Sequence, residues 1–411
     1  MPGKYHFPAD LERIIGSHAG AEPESLEQIA RAISKLSDLF NGKIPWESEY
    51  CRDPDLRRAY LGYFLPVNLP KIQTPLGSWL DGRPNLWAGR PLRCLDLGSG
   101  PGTALLGLCD FVRRLPAENR PAALDLVAVD QCPENLRDSG FLLGALHEVE
   151  PALPSFQFQP LRQDLVSDRS GLFPFTTGGG RFDLVVAANV VCELMRESPD
   201  GLERAIDLVL ATTREVLDPA GAIILLEPGL KETSRNLHGL RDRLLSAGTL
   251  HVHAPCLHED GCPALATKRD WCTADVAWEP PALVATLDRL TGLRKGSLKF
   301  SYLLLSPQPP TDFGPARWRV VSDVLDLKGE RRVYLCAQGR WLVLGQLKRD
   351  RTPNEEVFRS LRRGDLVEVD GAERKGSLFR LPPGGRLRRV SNGETLTRRC
   401  PRPPKPRCGS S

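Results

Sequence analysis

The chain has 411 residues, 41% of them hydrophobic and 26% charged, a globular composition with room for two or three domains and a large core. No apolar run approaches the ~20 residues that cross a bilayer. The first fifteen residues carry Asp10 and Glu12 with no hydrophobic stretch of the secretory kind, so no membrane association and a cytoplasmic location are expected. In that reducing setting the eleven cysteines read as thiols or metal ligands rather than disulfides. The net charge of +4 conceals an asymmetry. Residues 289–411 hold 27 Lys+Arg against 12 Asp+Glu, a net of +15, which leaves −11 for the rest. A basic third on an acidic body points to a polyanion contact, most simply nucleic acid.

In chain order, residues 1–85 read as helical. Leu26, Ile29, Ala30, Ile33, Leu36 and Phe40 recur at helical spacing, and Asn41-Gly42 would stop that helix. Residues 59–68 form an aromatic stretch with a polar end, suited either to covering a cofactor pocket or to packing helix against sheet. Between 91 and 228, strands at 93–97, 124–130, 156–159, 182–187 and 222–227 alternate with helical patterns. That rhythm predicts a doubly wound parallel α/β sheet. Helices at 230–247 and 281–292 and a strong strand at 298–305 follow, and the text from 317 to 369 is β-like. The expected organisation is a helical region (1–85), a nucleotide-cofactor core (86–250), a cysteine-rich loop with a returning strand (251–305), a basic β-rich segment (306–395) and a Pro/Arg tail (396–411).

The most informative text is Arg93-Cys-Leu-Asp-Leu-Gly-Ser-Gly-Pro-Gly-Thr103. A strand ends in Asp96, breaks into Gly98, Ser99, Gly100 and Gly102, and leads into a helix. Such a turn lets backbone N–H groups approach a ligand. An acid before it repels pyrophosphate and suits a cationic ligand. The stretch resembles motif I of class I S-adenosylmethionine methyltransferases, a Rossmann-like fold. Asp130, closing the second strand, is placed to accept hydrogen bonds from two ribose hydroxyls, or to cap a helix. Asp164, after the third strand, stands where such enzymes contact adenine, or caps a turn. Asn189 and Glu193, at the end of the fourth strand, face the crevice where donor and acceptor meet. They are the catalytic candidates. Many amino-group methyltransferases have Asn/Asp-Pro-Pro-aromatic there; this chain has Asn189-Val-Val-Cys192, with no aromatic.

Cys256 and Cys262 lie in a loop rich in Pro, Gly and His, Cys272 follows, and Cys336 stands far downstream. Zinc sites favour cysteine pairs two to four residues apart, and these are wider. An iron–sulfur cluster suits the spacing better. Zinc, with His253 or His258, and unligated thiols are the alternatives. Cys94, Cys109 and Cys192 read as buried core thiols.

Together with Tyr60-Leu-Gly-Tyr-Phe-Leu-Pro-Val-Asn68, Leu226-Glu-Pro-Gly229, Trp271-Cys272, Lys299-Phe-Ser-Tyr-Leu303 and Arg363-Gly-Asp365, these motifs resemble a family. It is that of the methyltransferase-like small-ribosomal-subunit assembly proteins of mitochondria and many bacteria. The resemblance implies a class I methyltransferase fold and a 4Fe–4S cluster on Cys256, Cys262, Cys272 and Cys336. It also implies binding to the small ribosomal subunit and its rRNA, with a monomer expected off the ribosome. Three functions follow as expectations: a methyltransferase for ribosomal RNA, an inactive assembly scaffold on the same fold, and a methyltransferase of another substrate.

Overall fold

The computed structural model describes residues 4–47, 50–165, 180–310, 317–350, 354–376 and 378–390. Residues 1–85 supply β1 (Tyr5–His6), α1 (Ala9–His18), α2 (Leu26–Phe40), α3 (Pro54–Ala59), a π-turn over Tyr60–Phe64, α4 (Leu65–Asn68) and α5 (Gln73–Leu80). Helix α2 buries Ile29, Ala30, Ile33 and Leu36, the stripe its spacing predicts, and ends at Asn41 before Gly42. The region is not wholly helical. Strand β1 pairs in parallel with a strand near residue 278, through Tyr5 and Trp278. Two residues carry no period, so the pattern could not announce it.

The alternating core follows: β2 (Pro91–Leu97), α6 (Thr103–Arg114), β3 (Ala123–Asp130), α7 (Pro133–Val149), β4 (Ser155–Arg162), β5 (Phe182–Ala188), α8 (Val190–Glu197), α9 (Gly201–Glu215), β6 (Leu217–Pro228) and α10 (Lys231–Ser246). Then come β7 (His251–Ala254), β8 (Ala274–Glu279), α11 (Ala282–Thr291) and β9 (Ser297–Ser306). The sheet runs β1-β8-β9-β6-β5-β2-β3-β4. Strands β4, β3, β2, β5 and β6 are mutually parallel, and β9 is antiparallel to β6. Strands β7 and β8 pair with successive parts of the other edge of β9. Side chains alternate across the sheet. Leu92 and Cys94 join one core layer with α6; Leu95 and Leu97 join the other with α9 and α10. The strand order reverses between β2 and β5, which opens a crevice at their carboxyl ends.

A second sheet is built from β10 (Arg317–Val320), β11 (Leu325–Leu327), β12 (Glu330–Ala337), β13 (Arg340–Leu347), β14 (Leu366–Asp370), β15 (Glu373–Lys375), β16 (Leu378–Arg380) and β17 (Arg386–Val390), with α12 (Asn354–Arg359) against it. Its own core includes Val320, Val333, Leu344, Phe358 and Val367. It docks on the first sheet through Arg319, whose guanidinium donates to the Pro255 carbonyl at 2.8 Å, and through the Asp275 N–H, which donates to the Arg363 carbonyl at 3.0 Å. Among the described residues no helix is long and apolar enough to cross a membrane. The Pro/Arg tail, with Cys400 and Cys408, lies outside the described residues.

Candidate active site

The crevice holds a cavity of about 120 Å³. Each flanking strand delivers one polar residue to it: Asp96 from β2, Asp130 from β3, Asn189 just past β5 and Glu227 from β6. Asp96 is 1% exposed, and neither carboxylate oxygen has a hydrogen-bond partner. Burial, aided by the charge of Asp130, pushes its pKa well above the ordinary range. Asp130 is engaged on both oxygens. It accepts from the Gly100 N–H at 2.7 Å, the Cys132 N–H at 2.8 Å and the Asn135 amide at 3.3 Å. One carboxylate thus ties the glycine turn to the start of α7.

The three glycines divide their work. All have positive φ, +64° at Gly98, +53° at Gly100 and +80° at Gly102. A Cβ on Gly100 would meet nothing within 4 Å, and the residue lines the cavity, so this is open cradle. A Cβ on Gly102 would come within 2.3 Å of the Ser139 hydroxyl. Gly102 was expected among the cofactor contacts. It does not line the cavity, and its missing side chain lets α6 pack against α7 instead. Gly98, Ser99 and Asp164 line the cavity.

Asn189 adopts φ +64°, an uncommon conformation for a residue other than glycine, at the N-cap of α8. Glu227 accepts from the Val191 and Cys192 N–H groups at 3.0 and 3.2 Å and so caps that helix. Burial nevertheless raises its pKa to about 7. Glu193, one turn into α8, is raised to about 8 by burial and by the charges of Asp130, Glu197 and Glu227. Burial lowers the Lys71 amine, which also lines the cavity, to about 7, and Lys295 adds to it. Six carboxyl groups and this one lysine line the cavity, and burial holds Asp96, Glu193 and Glu227 toward their neutral forms.

Sequence reasoning missed Glu227, Lys71 and Tyr50, all of which line the cavity. Glu227 carried a signal: an acid ending an apolar strand, as at Asp96 and Asp130. The aromatic stretch divides, since Tyr60 and Asn68 line the cavity while Tyr63 is fully buried in packing. Cys94, Cys109 and Cys192 are buried, as expected of core thiols, and the nine described cysteines are free.

The cysteine loop lies on the far side of β9. Arg241 of α10, 1% exposed, donates to the carbonyls of His258 at 2.6 Å and Asp260 at 2.9 Å and pairs with Asp242. Asp242 in turn accepts from the Cys262 N–H at 2.9 Å. Burial lowers His238 to about 4, which keeps it neutral, and its Nε2 accepts from the Cys272 N–H at 3.0 Å. The second sheet brings Cys336 to this loop, with its sulfur 3.8 Å from His258 Nε2. Cys256, Cys262 and Cys336 each disfavour ionisation of Cys272, so the four thiols share one neighbourhood. Burial first, then neighbouring thiols, push Cys262 and Cys336 up to about 12. Among the described residues, however, no three His, Cys, Asp or Glu side chains stand where they could hold a metal ion. The expected set is near one place without forming a closed cage. His253 points elsewhere, its ring bonded to the Gln308 carbonyl at 2.8 Å.

A sequence model of the family described as mitochondrial small ribosomal subunit Rsm22 matches residues 58–350, well over half of the chain. The chain belongs to that family. The Rsm22 match takes in Tyr60, the glycine turn and all four clustered cysteines, and stops after β13. Over 212 residues the chain is 26% identical to Highly reducing polyketide synthase PKS6 of Gibberella zeae, which is 51% of this chain and 7% of that protein. The chain thus spans a small fraction of that relative's length. Among solved structures it is similar to an S-adenosylmethionine-dependent methyltransferase of Clostridium acetobutylicum, at 10% identity over 79% of this chain and 77% of that one with TM-score 0.24. It is also similar to an arsenic(III) S-adenosylmethionine methyltransferase of Chlamydomonas reinhardtii, at 15% identity over 58% and 75% with TM-score 0.28.

Proposed function

We propose that the chain binds S-adenosylmethionine in the crevice and acts as a methyltransferase on the RNA of the small ribosomal subunit. The observation that carries this reading is Asp96, a buried carboxylate with no protein partner beside an open glycine cradle. A buried polar group without a partner is costly, and a cationic ligand there supplies one. Bound S-adenosylmethionine supplies an electrophilic methyl group on a positively charged sulfur. In this reading Asp96 gives up its proton as the ligand enters and pairs with the ligand's ammonium, and Gly98, Ser99 and Gly100 give its amino-acid end close approach. Asp130 accepts from the ribose hydroxyls and Asp164 from adenine. Asn189 and Glu193 position the acceptor, and Glu193 in its ionised form takes the proton a methylated atom sheds.

The same reading gives Cys256, Cys262, Cys272 and Cys336 a 4Fe–4S cluster. Four soft thiols beside the buried Arg241 and Arg319 fit such a group in donor type and charge. Its work is structural, joining the basic sheet to the core. Iron and sulfide analysis of anaerobically purified protein tests it: both are expected, and stoichiometric zinc without iron overturns it in favour of the zinc site. RNA contact falls to the segment of net +15. Affinity for small-subunit RNA should therefore fall steeply with salt as counterions are released. A flat salt dependence would contradict it. One observation favours a second reading, an inactive assembly scaffold: the residues after β5 lack the aromatic that holds an amine acceptor in many relatives of this fold.

A further inference from the structure

The acceptor end of the pocket is walled by a segment that precedes the whole α/β core. Tyr50 and Tyr60 both line the cavity, with rings 6.3 Å apart at 29° to one another. Phe40 buttresses both edge-on, at 5.4 Å from Tyr50 and 6.4 Å from Tyr60, and Phe64 lies tilted against Tyr60 at 6.0 Å. Trp46 continues the wall and donates from its indole to Glu197 at 3.3 Å. Arg196 lies 5.2 Å from the Trp46 ring and donates to the Phe40 carbonyl at 2.7 Å. The wall is therefore fastened to α8, the helix that carries Glu193.

We infer that Tyr50 and Tyr60 form a slot for a single RNA base, taken out of its stack and laid against their rings with Glu193 at its edge. This rests on the proposed methyl transfer to RNA and names the acceptor's class. Three observations converge on it. Aromatic faces bind any base through its π-face. The cavity lining carries Asp96, Asp130, Asp164, Glu193, Glu197 and Glu227 against one lysine, which disfavours a phosphate and admits a neutral planar ring. The basic third of the chain offers positive charge outside the cavity, which is the division of labour that base extrusion requires. The wall also supplies the flat surface missing after β5.

The test uses the full chain saturated with S-adenosylhomocysteine and short single-stranded RNAs, each carrying one photoreactive base (5-iodouridine, 5-iodocytidine, 8-azidoadenosine or 8-azidoguanosine). After irradiation, the cross-linked peptides are mapped by mass spectrometry. At least one base should cross-link to the peptide of Tyr50 or Tyr60. In Tyr50→Leu that yield should drop about tenfold, the share of one stacked base, while Tyr50→Phe, which keeps the ring, retains it. Calorimetry with S-adenosylhomocysteine checks that the leucine variant is folded. Cross-links confined to other peptides, or undiminished in Tyr50→Leu, overturn the slot while leaving cofactor binding intact. RNA that does not bind at all overturns the slot as well. Protein that binds no S-adenosylhomocysteine removes the slot and the methyltransferase reading together.

Discussion

Asp96→Asn is expected to weaken S-adenosylmethionine binding by about 10- to 100-fold, the equivalent of one charged hydrogen bond at ~1.5–3 kcal/mol. The same substitution should make the ligand-free protein more stable at high pH. The folded protein keeps Asp96 protonated far above the ordinary carboxylate range, because the carboxyl is buried and faces Asp130. The unfolded chain releases that proton near pH ~4. Between those values the unfolded state holds fewer protons, so stability falls as pH rises. Glu227 and Glu193 act in the same direction up to about 7 and about 8. Asparagine removes the Asp96 share. The gap in melting temperature between variant and wild type should be small at pH 5 and widen toward pH 9. A gain in stability with a loss of binding is what distinguishes a ligand-holding carboxylate from a structural one. Undiminished affinity in calorimetry would refute the assignment. Gly100→Val should also abolish binding, by filling the open cradle.

Arg241→Met should destabilise the protein by about 3–5 kcal/mol, because two charged hydrogen bonds to backbone carbonyls, each worth about 1.5–3 kcal/mol, are lost together with the pair to the partly exposed Asp242. Three links fail at once: the pair with Asp242 and the bonds to the His258 and Asp260 carbonyls. All of them hold the segment between Cys256 and Cys262. Iron content should fall with them, and S-adenosylmethionine binding should survive, because the pocket lies on the other side of β9. Urea titration gives the stability and calorimetry the binding. A loss below about 1 kcal/mol, the worth of an exposed pair, would show that the loop is held by something else.

Much of the pocket was legible because strand ends announce themselves. Asp96 and Asp130 each close an apolar run, and the glycines after Asp96 mark the turn. What one strand cannot disclose is which helix meets its end. Glu227 was visible as an acid on β6, but its bonds to the start of α8 join residues 35 and 36 positions apart. Tyr50 sits in text with no period, so nothing in its neighbourhood placed it on the cavity. Gly102 looked like Gly100 in the motif; only the position of Ser139 on α7 separates them. The convergence of Cys336 on the loop depends on β10 pairing Arg319 with Cys336, a register that spacing alone does not fix. The basic third also proved less free than its count suggests. Arg317 and Arg388 share Glu368, and Arg389 pairs with Asp365, so those charges are engaged within the sheet.

Methyl transfer itself is the most direct test. Immature small ribosomal subunits from cells lacking the protein are incubated with it and with S-adenosylmethionine labelled in the methyl group, and the RNA is then digested and analysed by mass spectrometry. The account predicts label on one base of the small-subunit RNA, absent with Asp96→Asn and with Gly100→Val. Protein that binds both S-adenosylmethionine and the subunit yet leaves the RNA unlabelled would contradict it and leave the scaffold reading in its place.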